Sequence, residues 1–516
     1  MRVVFLFLFT LYLFTGCTDP ASSGVGNTRH SILPDTSLMT GDSVTFGITD
    51  MEIGSAKHFI WSVGGSPDRD TTLKPEKTFS FFDEGSYSVT VALTDSMETV
   101  LFRDTCTVTV NLRNPFVVWQ TRLGGSENDL AFSVQETDDG GCIVAAKTNS
   151  WDGDLDGPNI RKYGSEGAWI IKLDSLGEIS WQTCLGGGAF KNAGSIDQDD
   201  WGYIYAGYER VNLSGDPLNI RVVKLDRSGQ KIWEKSYGGS EFDCALSMKT
   251  TGDGGCIIAG YTLSKDGDVD RVDSTYTKNG WIIKLDQSGE MTGQVCVKGL
   301  GEATAQSVCQ TADGGYVVSG TTVSGSGDEI IKVPNAWVAK LNQDLEAVWV
   351  KYFGGMSEES TKSVIQTSDD GFLIAGYSED AIRSHGDSDA WLFKLDASGN
   401  VLWEKYFGGS DHDEANSVVE CTGGGYIVAG RTASQDGDVS GNHEGEGVAW
   451  VFKIDPSGEI QWQKCLEGTD GAEGNSVREA DGEIFISGWT WNSYSGPTGP
   501  TGDYDVWVAR LSHYDG

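Results

Sequence analysis

Seven times after its first quarter the sequence returns to the same paragraph, and no other feature constrains the fold as tightly. The anchor positions Trp119, Trp181, Trp233, Gly293, Trp349, Trp403 and Trp462 stand 52 to 62 residues apart. The sixth copy shows the pattern in full. Trp403-Glu-Lys-Tyr-Phe-Gly-Gly409 leads to Ala415-Asn-Ser417-Val418, then to Gly425-Tyr-Ile-Val-Ala-Gly430, then to Ala449-Trp450-Val-Phe-Lys453-Ile-Asp455 and Ser457-Gly458. Each copy holds four runs of strand length separated by turn residues. A four-stranded unit repeated at this period is the sequence form of a β-propeller.

The repeat also assigns strand positions. Strand a, innermost, carries a serine in every copy: Ser133, Ser195, Ser247, Ser307, Ser363, Ser417 and Ser476. Small side chains suit a strand that converges on an axis. Strand b is the Tyr-Ile-Val-Ala-Gly run. Strand c carries Trp169, Trp281, Trp337, Trp391, Trp450 and Trp507, with Arg221 as the exception in the second copy. Strand d holds the anchor tryptophan. A buried tryptophan removes roughly 200 Å² from water, an upper bound of about 5 kcal/mol at 25 cal/mol/Å², so these side chains are read as inter-blade packing.

The last copy ends at Leu511–Gly516 without a strand d of its own, while Phe116-Val-Val-Trp119 is a surplus strand d ahead of the first copy. The expectation is therefore an all-β chain with a seven-bladed β-propeller over 116–516, closed by strand 116–123 and leaving no exposed circular edge.

The segment Leu395–Trp403, repeated at Leu173–Trp181 and Leu225–Trp233, resembles the tryptophan-docking motif of quinoprotein-type propellers. The Asp-Gly-Gly and Gly-Gly-Ser elements resemble bacterial propeller repeats of surface proteins and lipoproteins. The resemblance covers most of 116–516 and implies a fold; one fold hosts many activities, so it implies no reaction. The adjacent cysteine pair of some pyrroloquinoline-quinone dehydrogenases is absent, which counts against that cofactor. The plan of anchor plus propeller is shared with the propeller lipoprotein of the outer-membrane β-barrel assembly machine, without a residue-level match.

Ahead of the repeats, Arg2 is followed by the apolar run Val3–Phe14 and Thr15-Gly16-Cys17. That run is too short to span a bilayer and suits a signal-peptide core. Its ending resembles a bacterial lipobox with Phe14 in the place of the usual leucine, which implies that 1–17 is a lipoprotein signal peptide with its lipobox and that Cys17 becomes the lipidated first residue of the mature chain; an ordinary cleaved signal peptide is the alternative. Residues 18–29 read as a tether. Over 30–113 short alternating runs, such as Ser86-Tyr-Ser-Val-Thr-Val91, argue half-buried strands. Phe59-Ile-Trp61 and Phe82-Asp-Glu-Gly85-Ser-Tyr87 resemble the PKD family of Ig-like β-sandwiches, with Gly64-Gly65-Ser66 where Gly-Asp-Gly is usual. Such a module implies a spacer.

The formal charge is −37, from 38 Lys+Arg against 75 Asp+Glu, which repels phosphate backbones and makes nucleic acid a poor partner. Cys17 apart, nine cysteines remain, so they cannot all pair within the chain. Cys142 and Cys256 occupy positions held elsewhere by Tyr316, Phe372 or Tyr426 and read as small buried hydrophobes.

Candidate sites belong to the b–c loops, which vary in length and composition while the hairpins stay short and uniform. Gly-Asp recurs there in all seven copies, a frequency that favours a structural role. In two loops, Asp152-Gly-Asp154-Leu-Asp156-Gly157 and Asp266-Gly-Asp268-Val-Asp270, three carboxylates stand at alternate positions. This opening resembles a calcium loop, whose hard oxygens suit Ca²⁺; the acidic residue that would close it is Tyr163 in the first loop. Solvated acidic loops are the alternative. Trp151, Trp491 and Tyr494 lie outside the repeat pattern, in loops of blades made neighbours by ring closure, and could form an aromatic recognition platform. The six histidines are scattered, and neither a Gly-x-Ser-x-Gly elbow nor a phosphate loop is present. The recurring strand-c cation (Lys172, Lys224, Lys284, Lys340, Lys394, Lys453, Arg510) is expected to pair with a neighbouring acid.

The leading expectation from sequence is a monomeric, non-enzymatic envelope lipoprotein, membrane-anchored at Cys17 and binding a glycan or protein through its b–c/d–a face. The alternatives are a scaffold in outer-membrane assembly, or a carbohydrate-active or quinone-dependent propeller enzyme.

Overall fold

Backbone and side chains are described in the computed structural model over 115–512, except 156–166, 186–193, 211–216, 271–277, 298–300, 324–335, 356, 381–382, 442–446, 467–470, 481 and 492–503; within 36–111 only strand backbones are described. The lipidation position Cys17 lies outside the described residues.

Phe116–Ser512 forms a compact unit of seven four-stranded antiparallel sheets, each ordered a-b-c-d. The first is Asp129–Glu136, Cys142–Thr148, Gly167–Leu173 and Ile179–Leu185. In the last, Ala472–Ala480, Glu483–Trp491 and Tyr504–Ser512 are completed by Phe116–Leu123, with Val506 opposite Leu123 and Ser512 opposite Phe116. The strand surplus at one end thus fills the deficit at the other. The seven a strands touch in succession, and Ala472–Ala480 returns to Asp129–Glu136.

The recurring serine does more than save space. Ser476 Oγ accepts the Val134 amide at 3.3 Å, Ser133 that of Ile196 at 3.2 Å, Ser307 that of Val364 at 3.1 Å and Ser417 that of Val477 at 3.2 Å. Ser247 and Ser363 do the same, while Ser195 donates to the Met248 carbonyl instead. Each of these strand-a amides is therefore satisfied by the serine of the preceding blade.

The strand-c tryptophans are fully buried between sheets. Arg221, in the same slot of blade two, is 4% exposed and pairs with Glu209 and Glu234. The indoles of Trp119, Trp181, Trp233, Trp349 and Trp403 dock on the next blade's c–d turn, while Trp462 is buried beside blade seven, whose strands c and d come from opposite ends of the chain. Trp119 Nε1 donates to the Ser175 carbonyl at 3.1 Å and Trp403 Nε1 to that of Pro456 at 3.1 Å. The turn glycine faces the ring, and a Cβ on Gly177 would sit 2.8 Å from Trp119. Blade three has Gly293 where the indole should be, and the facing turn has Leu345 where glycine should be. Leu345 is buried at φ 63° against Gly293, so one compensating side chain fills the gap.

Strand-c cations reach back to the a–b turn as expected. Lys340 Nζ lies 2.9 Å from Asp313, and Lys172, Lys284 and Lys394 make the same contact with Asp139, Asp253 and Asp369. The Thr311 hydroxyl and the Lys340 ammonium hold the Asp313 carboxyl at about 2. Cys142 and Cys256 are buried free thiols, and burial pushes Cys142 up to about 12.

Between 36 and 111 the strands pair in the order Thr36–Met39, Val100–Asn111, Gly85–Thr94, His58–Val63, Arg69–Thr72, and Ser43–Gly47 pairs with Glu76–Ser80. The two runs singled out for their PKD likeness are neighbours, with Trp61 opposite Val91.

Candidate functional site

Strand a begins at the face where the d–a and b–c connections gather, so its first residues encircle the axial mouth there. In blades five to seven those residues are polar and in contact. Asn416 Nδ2 on strand a of blade six donates to Glu473 Oε1 of blade seven at 3.1 Å and to the Gly474 carbonyl at 3.2 Å. Burial raises the Glu473 carboxyl above its ordinary range and the like charge of Glu414 adds to this, while Arg431 and Lys362 pull the other way. Glu414 and Arg431 face each other across the a–b pair of blade six.

Around these carboxylates stand rings and cations. The Arg431 guanidinium lies 5.8 Å from the Trp491 ring centre, and Trp491 packs beside Trp489 at 5.4 Å. Tyr504 meets Trp489 edge-on at 5.1 Å. On the other flank Lys362 Nζ lies 5.5 Å from the Tyr377 ring, whose hydroxyl donates to Glu358 at 3.1 Å. Glu414, Asn416, Arg431, Glu473, Lys362, Tyr377 and Trp491 are all half-buried. A carboxyl whose proton affinity burial raises, a second carboxylate from the neighbouring blade, and amide, cationic and aromatic groups thus adjoin one another at this face. Such a set can donate a proton to a leaving oxygen and hold a polyhydroxylated molecule.

Sequence reasoning missed the two glutamates, although a signal exists. Three residues before the recurring serine, the other copies carry Leu130, Asn192, Cys244, Thr304 and Ser360; only blades six and seven carry an acid.

The sequence-derived sites fall as follows. Trp151 is 52% exposed in its loop. Trp491 turns toward blade six, where a Cβ on Gly471 would strike its ring at 2.0 Å, so it joins Arg431 and Trp489 rather than Trp151. Tyr494 and Asp156 lie outside the described residues. Asp152 Oδ1 accepts the Ser126 amide at 2.8 Å and Asp154 Oδ2 the Gly124 amide at 3.0 Å. Asp266 and Asp268 repeat this on Ser240 and Gly238, while Asp270 is exposed. These four carboxylates cap the preceding d–a loop, and Gly153 and Gly267, at φ 71° and 69°, permit the turn. Among the described residues no three His, Cys, Asp or Glu side chains gather as a metal site.

A separate groove of about 470 Å³ crosses the rim between blades five and six, lined by Arg383, His385, Glu404, Tyr406 and Asp438. In it His385 Nδ1 lies 2.6 Å from the fully buried Asp389.

No known family matches the chain. The regulatory protein FlaEY of Caulobacter vibrioides is 22% identical over 445 residues, covering 81% of this chain; the chain spans 40% of that relative's length. Among solved structures, a quinoprotein alcohol dehydrogenase-like protein of Bacteroides thetaiotaomicron is 8% identical with a TM-score of 0.35, covering 85% of this chain and 96% of its own. A puromycin hydrolase is 10% identical with a TM-score of 0.40, covering 73% and 53%. A putative exo-β-1,3-galactanase of Bifidobacterium bifidum is 13% identical with a TM-score of 0.32, covering 53% and 90%. At these values the likeness passes no reaction to this chain. The expectation of a non-enzymatic protein is nevertheless withdrawn, because it rested on the absence of a familiar catalytic motif, which is no ground for excluding catalysis.

Proposed function

We propose that the propeller is a carbohydrate-active enzyme that hydrolyses a glycosidic bond at the axial mouth of blades five to seven. The observation that carries this reading is the pair of adjacent strand-a carboxyls, one of which, Glu473, is biased toward protonation. Glycoside hydrolysis needs such a pair with separated proton affinities. Glu473 gives its proton to the glycosidic oxygen as the bond to the anomeric carbon breaks. Glu414 is the partner carboxylate facing the developing positive charge, and water adds at the anomeric carbon as its proton passes to Glu414. Trp491 and Tyr377 offer ring faces to sugar, and Asn416, Arg431 and Lys362 offer donors to hydroxyls. A net charge of −37 disfavours polyanionic glycans, so the substrate class is a neutral saccharide.

The test is hydrolysis of a panel of neutral polysaccharides and aryl glycosides. Wild type is expected to release reducing ends from at least one, and Glu473→Gln to lower kcat by about 10²–10⁴-fold with the fold retained by circular dichroism. A variant as active as wild type, or no release by either protein, sinks the assignment.

The sequence of 1–29 supports export and lipidation at Cys17, and that of 30–113 supports a PKD-like spacer. Together they favour an enzyme tethered to a bacterial envelope membrane; palmitate labelling of wild type, absent from Cys17→Ser, is the expected outcome, and equal labelling of both would deny the anchor.

A further inference from the structure

Away from the axial mouth, the seams between blades hold buried carboxylates that are only partly satisfied: Asp129, Asp389 and Asp413 each keep one oxygen without a hydrogen-bond partner, and Asp505 keeps both. Asp505 opens strand c of blade seven and Asp129 opens strand a of blade one; both are 0% exposed. Both oxygens of Asp505 and Oδ1 of Asp129 lack a hydrogen-bond partner. Asp129 Oδ2 accepts the Gly125 amide at 2.9 Å and the Ser150 hydroxyl at 2.8 Å. The two side chains converge on Gly124, where a Cβ would lie 2.7 Å from Asp129 Oδ2 and 2.9 Å from Asp505 Oδ1.

The same positions recur at two more seams. Asp389 and Asp413, both 0% exposed, flank Gly408, and Oδ1 of each is unpartnered. Asn219 and Asp243 flank Gly238, with Asn219 Oδ1 unpartnered. Leaving paired charges buried and uncompensated is strongly unfavourable. A single proton shared between Asp505 and Asp129 would engage one oxygen of each and leave the third open, whereas an oxygen-seeking cation engages all three together.

We propose that the Asp129–Asp505 seam binds a divalent cation of the calcium class, clasping the closing blade to the first, with a second such site at Asp389–Asp413. Water completes the shell, as it commonly does around Ca²⁺. These sites differ from the Asp152 and Asp266 loops, whose carboxylates already hold backbone amides. They are also independent of catalysis at Glu473.

The experiment is calcium titration of chelator-stripped full-length protein by calorimetry, with melting followed in parallel. Wild type is expected to bind calcium and to gain about 2–5 °C in Tm at millimolar calcium. The isosteric Asp505→Asn should lose one equivalent and Asp413→Asn another, while Asp152→Asn keeps the wild-type count. If Asp505→Asn fails to fold, Asp129→Asn and Asp413→Asn carry the same test. Calcium binding that all three seam variants retain, no binding by wild type, or loss confined to Asp152→Asn overturns the proposal.

Discussion

Glu473 and Glu414 bring a charge to a position where the other repeats carry only neutral side chains, and the consequence is local. Burial and the neighbouring carboxylate raise Glu473, and Arg431 opposes them. Removing that opposition with Arg431→Gln should raise Glu473 further and move the alkaline limb of the kcat/KM profile to higher pH. An unmoved limb would mean that another group supplies the proton. Asp313, held at about 2, titrates at the other extreme, as do Asp253 and Asp369, each about 2, where burial pushes up but hydrogen bonds from lysine, threonine and a backbone amide together outweigh it. Because these folded values lie below the unfolded carboxylate value, their contribution is present above about pH 4 and lost as pH falls toward 2. Acid melts of Asp313→Asn should therefore lose less stability across that window than wild type. Little of this was legible in the sequence. The acids at 414 and 473 break the repeat visibly, but one residue type among 75 acids gains meaning only when a second blade sets a like charge beside it.

Docking of a strand-d indole on the next blade's c–d turn was legible as spacing, and its exception tests it. Gly293 and Leu345 exchange the roles of large and small that Trp233 and Gly289 play one seam earlier, where a Cβ on Gly289 would sit 3.0 Å from Trp233. Leu345→Gly should destabilise by about 1–3 kcal/mol, the cavity cost less the relief of a positive φ. Gly293→Trp alone should clash with Leu345. The double variant should recover most of both losses, which a double-mutant cycle in urea would read as favourable coupling; additive losses would deny that the two positions share one space. For strand a the sequence argued only that serine is small. The hydrogen bond from the next blade's amide became visible only in the closed ring, where one strand a lies against the next.

At the scale of the whole ring, Phe116–Leu123 joins ends nearly four hundred residues apart and removes the last open edge. Trp119→Ala, which strips the closing strand of its dock on the Ser175 turn, should cost about 3 kcal/mol. Deleting 116–123 should leave Tyr504–Ser512 as an unpaired edge and promote association, seen as oligomers by light scattering; a monomer of unchanged Tm would deny the closure. By itself the sequence determined the number of blades, the strand assigned to each position, the closing strand and the packing role of the tryptophans, because periodicity and turn chemistry are written along the chain. Only the tertiary structure decided which residues share the axial mouth, that Trp491 faces blade six rather than Trp151, and that Asp505 meets Asp129. Those meetings join residues up to 376 positions apart through inter-blade packing, and no local pattern encodes a distance across a ring.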